Sequence, residues 1–152
     1  MLNILTGLPQ NKEDDNIICT NFAKSVGYKI ILGSSTMKMY CRELNISSQI
    51  KILSPNISPT VKYVIPGINI ANEGIITLNE CYKILSGKIS DNTSAIEVIN
   101  LIKKEDVINF IIGTADNGEQ VFYKQKRLLP RTEIIKKIVE LLKDKKVTTN
   151  FV

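Results

Sequence analysis

The 152-residue sequence contains no histidine. Ser-His-Asp triads, Cys-His nucleophile pairs and histidine-ligated metal sites are therefore excluded, whatever the fold. Cysteine is scarce, since only Cys19, Cys41 and Cys81 are present and none of them has a Cys-x-x-Cys spacing. We therefore expect neither a disulfide framework nor a zinc site, and the apolar neighbours of the three cysteines predict buried thiols in a reducing compartment.

Long apolar runs are also missing. No stretch approaches the roughly 18 uninterrupted apolar residues of a transmembrane helix, and the N-terminus lacks the basic-then-apolar order of a signal peptide. We expect a cytoplasmic protein without membrane contact. The composition, 43% hydrophobic and 23% charged, is that of a globular chain, and the length suits a single domain over residues 1–152.

The positive charge is concentrated in one segment. The net charge is +5, and residues 119–146 hold nine basic and four acidic side chains, so this segment accounts for the whole excess. It could form an anion-binding or nucleic-acid-binding face, or the solvated face of a lysine-rich amphipathic helix. No RNP, zinc-finger or basic-zipper pattern accompanies it, which favours the solvated helix and no nucleic-acid partner.

Short apolar runs alternate with longer segments of helical period, which is the pattern of βαβ units. It predicts an α/β fold: one three-layer domain with a mostly parallel, Rossmann-like sheet. We expect strands at residues 2–6, 28–32, 49–53 and 107–112, and helices at 11–26, 34–44 and 132–145. Residues 54–76 are predicted to be an irregular connecting segment with edge strands near 61–65 and 68–71, and 119–152 a basic loop, helix and final strand.

Two further helix starts are predicted from capping residues. Residues 77–80 have the Thr-x-x-Glu spacing of a capping box, so a helix is expected from there to about Ser86. Asp91 is expected to cap the next helix, whose apolar stripe would comprise Ile96, Ile99 and residues 101–102.

Three predicted strands end beside glycine and hydroxyl residues. The turns are Thr6-Gly7, Gly33-Ser34-Ser35-Thr36 and Gly113-Thr114. Carboxyl ends of parallel strands share one edge of a sheet, where ligands bind, so we expect the three turns to converge. Glycine allows close backbone approach, and the helix after Gly33 offers N–H groups to an anion. The alternative is that Ser34 or Ser35 only caps that helix.

Two carboxylates follow predicted strands near the same edge. Glu73 and Asp116 could each accept a hydrogen bond from a ribose hydroxyl, hold a cation or act in acid-base chemistry, although each taken alone is more typical of a surface turn. We predict no catalytic residue, no metal ligand and no cofactor. The predicted ligand-binding residues are Thr6, Gly7, Gly33, Ser34, Ser35, Thr36, Glu73, Gly113, Thr114 and Asp116.

Four segments taken together resemble a known family. They are LTGLP with the acidic run to residue 15, ILGSST from residue 31 with Arg-Glu-Leu at 42–44, PGINIANEGIITL from residue 66, and VINFIIGTA from residue 107. In this order they are similar to the C-terminal region of bacterial metal-dependent serine/threonine phosphatases related to stage II sporulation protein E. The family pattern Gly-Gly-Thr-Thr is Gly-Ser-Ser-Thr in this chain.

The resemblance implies an accessory domain that follows a phosphatase domain. The aspartate motifs that hold the metals of such phosphatases, an Asp-Gly among them, lie upstream of this region in the family, and Asp-Gly does not occur in this chain. We expect a non-catalytic regulatory domain that binds a small anionic ligand, with a nucleotide as one candidate. The alternatives are an interaction or dimerisation module using the sheet edge or the helix at 132–145, and an independent enzyme using Glu73 or Asp116.

Overall fold

The computed structural model describes residues 1–47, 49–53, 60–116 and 124–152. Its centre is a seven-stranded sheet of order β3-β4-β5-β2-β1-β6-β7. The five strands that are adjacent in the order β5-β2-β1-β6-β7 are parallel to one another. Strand β4 is antiparallel to both of its neighbours, β3 and β5. The strands are β1 (Leu2–Thr6), β2 (Tyr28–Leu32), β3 (Gln49–Leu53), β4 (Thr60–Val64), β5 (Ile70–Asn72), β6 (Val107–Ile112) and β7 (Lys146–Phe151).

Helices cover both faces of the sheet. A short 3₁₀ turn, Lys12–Asp14, leads into the first of the five α-helices that the structure describes. The α-helices are α1 (Asp15–Lys24), α2 (Ser34–Leu44), α3 (Ile75–Leu85), α4 (Thr93–Lys104) and α5 (Arg131–Glu140). None of the helices in the described ranges is long and apolar enough to cross a membrane.

Two apolar clusters hold the three layers together. On one face, Phe22 of α1 and Met37 of α2 pack with Leu5 and Ile31 of the sheet. On the other face, α3, α4 and α5 pack against the opposite side chains of the same strands, among them Ile4 and Leu32. Successive strand residues point to opposite faces of the sheet, so one buried strand contributes side chains to both clusters. The predicted α/β class, with a mostly parallel Rossmann-like sheet, is confirmed.

The strands predicted near residues 61–65 and 68–71 are present as β4 and β5, but their predicted edge position is wrong. Residues 54–59 lie outside the described part, but both strands in the rest of that segment are interior. β5 pairs with β2 from Ile30–Ile70 to Leu32–Asn72, and β4 lies between β5 and β3. The antiparallel β3-β4 hairpin therefore extends the parallel sheet beyond β5, a result that proline and asparagine content does not reveal.

Both predicted caps are also wrong. The first turn of α3 begins at Gly74, whose carbonyl accepts a hydrogen bond from the Leu78 N–H at 3.0 Å, so Thr77 lies inside the helix and is buried. The cap of α4 is Asn92, not Asp91, because its Oδ1 accepts from the Ala95 N–H at 3.0 Å.

The apolar stripes and helix ends differ in detail from the predictions. In α4 the buried apolar positions are Ala95, Val98, Ile99 and Ile102, and Ile96 is exposed. Helix α1 begins only at Asp15, after the 3₁₀ turn, and α5 ends at Glu140 because the chain turns there toward β7. The expected solvated face of α5 is present, with Lys136 and Lys137 exposed opposite the buried isoleucines.

Cys19, Cys41 and Cys81 form no disulfide bond within the described residues, and two of them, Cys19 and Cys81, are buried. Burial raises the pKa of the Cys19 thiol to about 12, with the Asp15 carboxylate adding to the effect, and burial raises the pKa of Cys81 to about 12 as well. Cys41 is only partly buried. Because the thiolate is the reactive form, Cys19 and Cys81 are protected against alkylation both sterically and chemically.

We expect iodoacetamide to modify Cys41 first in the native protein. At about pH 8 a thiol of pKa 12 holds roughly a thousandfold less thiolate than a cysteine in an unfolded chain, so Cys19 and Cys81 should react at least that much more slowly in the native protein than in urea. Peptide mass spectrometry over a time course measures the three rates, and the urea-unfolded chain is the control in which all three rates should converge. Native-state modification of Cys19 as fast as that of Cys41 would contradict the assigned burial.

Candidate ligand-binding cleft

A cleft of about 280 Å³ opens at the carboxyl edge of the parallel strands. Its walls come from the residues that follow β1, β2 and β5, from Tyr63 of β4, and from the start of α5. These segments meet because β5, β2 and β1 are adjacent and run in the same direction. The position agrees with the general location of ligand sites in open α/β sheets.

The turn after β2 forms the middle of the cleft. Gly33 has φ +125°, a conformation open to glycine but strained for other residues, and its N–H donates to the Asn72 carbonyl at 2.8 Å. Helix α2 then begins with Ser34 and Ser35, which are exposed and line the cleft. The first N–H groups of a helix have no partner within the helix, so they present a partial positive charge to the cleft.

Two of the predicted hydroxyls are already engaged within the fold. The buried Thr36 Oγ1 accepts a hydrogen bond from the Gly7 N–H at 2.8 Å, which ties the start of α2 to the turn after β1. Thr6 is also buried, and its Oγ1 donates to the Leu32 carbonyl at 2.8 Å. Thr36 touches the cleft wall, but both hydroxyls serve first to position the turns around it.

The third predicted turn packs behind the cleft. The Gly113 N–H donates to the Thr6 carbonyl at 2.8 Å, and a Cβ on Gly113 would lie 2.3 Å from the carbonyl carbon of Gly7. The backbones after β1 and β6 thus touch at the point where the strand order reverses. Thr114 faces away, and its Oγ1 donates to the Val152 carbonyl at 2.8 Å. Ala115 borders the cleft, whereas Gly113, Thr114 and Asp116 do not.

Arg131 is the cleft residue that sequence reasoning missed. It is the first residue of α5 and partly buried, and its Nε donates to Thr6 Oγ1 at 3.1 Å. Its Nη1 lies 3.1 Å from the position that a Cβ on Gly7 would occupy. The sequence analysis counted this arginine with the solvated basic segment. A usable signal was present, since a helix that leads into a parallel strand begins at the carboxyl edge of the sheet.

Glu73 supplies the carboxylate of the cleft. It follows β5, is partly buried, and forms no hydrogen bond or ion pair with another residue in the described part of the chain. The next residue, Gly74, packs against the turn after β2, because a Cβ on Gly74 would lie 3.2 Å from the Gly33 Cα. The glycine therefore holds the Glu73 turn close to the start of α2.

Asn72, directly before Glu73, is a second residue that the sequence analysis overlooked. It is 1% exposed, and neither polar atom of its side chain has a hydrogen-bond partner within the described chain; the same holds for the buried Ser94 Oγ. Buried amides are almost always hydrogen-bonded, since leaving one unpaired costs about 1–3 kcal/mol. The end of β5 therefore has hydrogen-bonding capacity that no described residue uses.

The cleft is lined by positive helix ends and by two charged side chains. Helices α2, α3 and α5 all begin at its wall, so three positive helix ends point toward it, together with the guanidinium of Arg131. Glu73 lies at the β5 end. The remaining wall is partly apolar, from Leu8, Tyr63, Ile75, Ile76 and Leu128.

Together, the parallel strands in the order β5-β2-β1-β6-β7 and a cleft at their carboxyl ends define a Rossmann-like α/β domain with a candidate anion site. The chain matches no protein-family model, no curated protein and no solved structure. The described residues include no group of three or more Cys, Asp or Glu side chains placed to hold a metal ion.

Proposed function

We propose that this chain is a regulatory domain that binds a small anionic ligand in the cleft at the carboxyl edge of the sheet. A nucleotide is the more specific candidate for this ligand. The observation that carries the proposal is that Arg131 and the exposed start of α2 line the same cleft. Guanidinium and helix N–H donors both favour anions, and a partly buried guanidinium is less screened by water than a surface lysine.

The apolar wall adds a second element of recognition. Tyr63 and Ile76 offer carbon surface beside the charged part of the cleft, so a bound molecule with an organic body would gain contact area that a bare anion lacks. A volume of about 280 Å³ suits a metabolite-sized molecule rather than a polymer. These features support a small organic anion.

The biological context of the proposal comes from the sequence resemblance. In that context the domain accompanies a metal-dependent phosphatase related to stage II sporulation protein E and reports ligand binding to it. A pull-down of such a phosphatase domain by this chain, with and without the anion, tests this part separately. Absence of any association under both conditions would remove the phosphatase context and leave the ligand site standing.

We expect phosphorylated metabolites to raise the thermal midpoint of the protein. A ligand at about 100 times its Kd adds about 2.7 kcal/mol to stability, which corresponds to roughly 5–10 °C for a chain of this size. A fluorescence melting series with inorganic phosphate, pyrophosphate, ribose 5-phosphate and adenosine monophosphate measures this shift. Chloride at matched ionic strength is the control, and a midpoint that no phosphate compound moves would overturn the ligand site.

A second candidate function is self-association through the edge of the sheet. The edge strand β7 is largely exposed along its six residues, and an exposed edge can pair with another strand. The helix route that the sequence also allowed has less support, because Ile134, Ile135 and Ile138 of α5 are buried in the core. Light scattering on the wild type and on Thr149→Pro in β7 tests this self-association. A wild-type dimer that the substitution dissociates would support association through β7. A monomeric wild type would rule it out.

The independent-enzyme alternative has the least support. Glu73 lines the cleft, but Asp116 does not, so the two carboxylates do not share a site.

A further inference from the structure

The two charged side chains of the cleft lie at opposite ends of it. Glu73 follows β5 and Arg131 lies against the turn after β1, and strand β2 separates these two strands. Neighbouring strands are about 4.8 Å apart, so the two ends are separated by about 10 Å at the level of the backbone. The start of α2 lies between them, at the end of β2.

This separation restricts the chemistry of the ligand. A bare inorganic anion would use Arg131 and α2 and would leave Glu73 as a repulsive neighbour. The ammonium and carboxylate of an α-amino acid are attached to one carbon, too close together to reach both ends from a central position. A molecule that fits has an anion at one end and hydrogen-bond donors several bonds away, where the Glu73 carboxylate accepts them.

We infer that the ligand contains a phosphorylated pentose, either free or as part of a nucleotide; this inference rests on the proposed anion site. The phosphate accepts hydrogen bonds from the first N–H groups of α2 and from Arg131, and the ring hydroxyls donate to Glu73. Because Glu73 has no hydrogen bond or ion pair with another described residue, its oxygens are available for this purpose. Tyr63 on the neighbouring strand β4 lies on the same side as Glu73 and would contact a base attached to the sugar.

The test compares two phosphates that differ only in their hydroxyls. Ribose 5-phosphate and tetrahydrofurfuryl phosphate share the ring and the phosphate, and calorimetry gives both affinities for the wild type. A carboxylate–hydroxyl interaction predicts that ribose 5-phosphate binds roughly 10- to 100-fold more tightly. In Glu73→Gln this ratio should fall to a few-fold, while Glu140→Gln, the same change at the far end of α5, should keep it.

The possible results separate this inference from the proposed function. If both phosphates bind equally to the wild type, the pentose inference is overturned and the anion site stands. If neither binds, both are overturned. Binding of an α-amino acid that Glu73→Gln abolishes would also overturn the pentose inference.

A further comparison identifies the source of the pentose. A gain of roughly five- to tenfold for adenosine monophosphate over ribose 5-phosphate, lost in Tyr63→Leu, supports a nucleotide. Equal affinities support a free sugar phosphate.

Discussion

The variant Gly113→Ala is expected to lose most of its folding stability. A Cβ on Gly113 would lie 2.3 Å from the Gly7 carbonyl carbon, the Leu8 nitrogen and the Leu8 oxygen, and all three are backbone atoms that no side-chain rotation can move away. The clash separates the central strands β1 and β6 and breaks the hydrogen bond from the Gly113 N–H to Thr6. We expect a loss above about 4 kcal/mol, which is a large part of a typical domain's 5–15 kcal/mol.

Urea unfolding followed by circular dichroism measures this loss, and expression in the insoluble fraction is its extreme form. Gly87→Ala is a suitable control, since Gly87 also has a positive φ, +88°, but a Cβ there would meet no atom within 4 Å. That variant should lose only about 1–2 kcal/mol, from the left-handed backbone conformation. Equal losses in the two variants would show that the close contact of the two turns does not exist.

The variant Arg131→Gln is expected to bind phosphate compounds roughly 10- to 100-fold more weakly, because a charge-assisted hydrogen bond contributes about 1.5–3 kcal/mol. Glutamine keeps much of the side-chain length but removes the charge. The turn after β1 should stay in place, since Thr6 loses its bond to Arg131 but keeps its bond to the Leu32 carbonyl.

Calorimetric titration with ribose 5-phosphate or pyrophosphate measures the loss of affinity in Arg131→Gln. Lys143→Gln removes the same charge from the exposed chain beyond α5 and should bind like the wild type apart from a small, salt-sensitive difference. Arg131→Lys should recover part of the affinity, because it restores the charge without the planar fork of donors. Wild-type affinity in Arg131→Gln would place the anion elsewhere.

The elements that were predicted to the residue are those with the strongest local patterns. Strands β1 and β2 are short apolar runs bounded by glycine, and α2 starts directly after Gly33. The starts of α3 and α4 were predicted wrongly because Thr77 and Asp91 suit a cap by residue type alone. In the folded chain the N-cap of α3 is Gly74, three residues before Thr77, and the Asn92 side chain accepts a hydrogen bond from the Ala95 N–H.

The structure brings only some of the predicted site residues together in one cleft, for a similar reason. Gly7 and the turn at Gly33 do lie in the cleft with Glu73, as expected for carboxyl ends of neighbouring parallel strands. Sequence spacing cannot reveal that Gly113 packs directly onto Gly7. It also cannot reveal that the Thr36 hydroxyl accepts a hydrogen bond from the Gly7 N–H. The sequence does not reveal that Arg131 lines the cleft either, because Arg131 begins α5 and the position of that helix depends on where β7 joins the sheet.

The sequence by itself determined the α/β class, the parallel character of the sheet and the glycine turn before α2, because hydrophobic period and glycine placement act over a few neighbouring residues. Only the tertiary structure decided that β5 is interior, that the turn after β6 closes against the turn after β1, and that Arg131 and Glu73 line the same cleft as the start of α2. These outcomes depend on strand order and on contacts between segments far apart in the chain, and no local pattern encodes them.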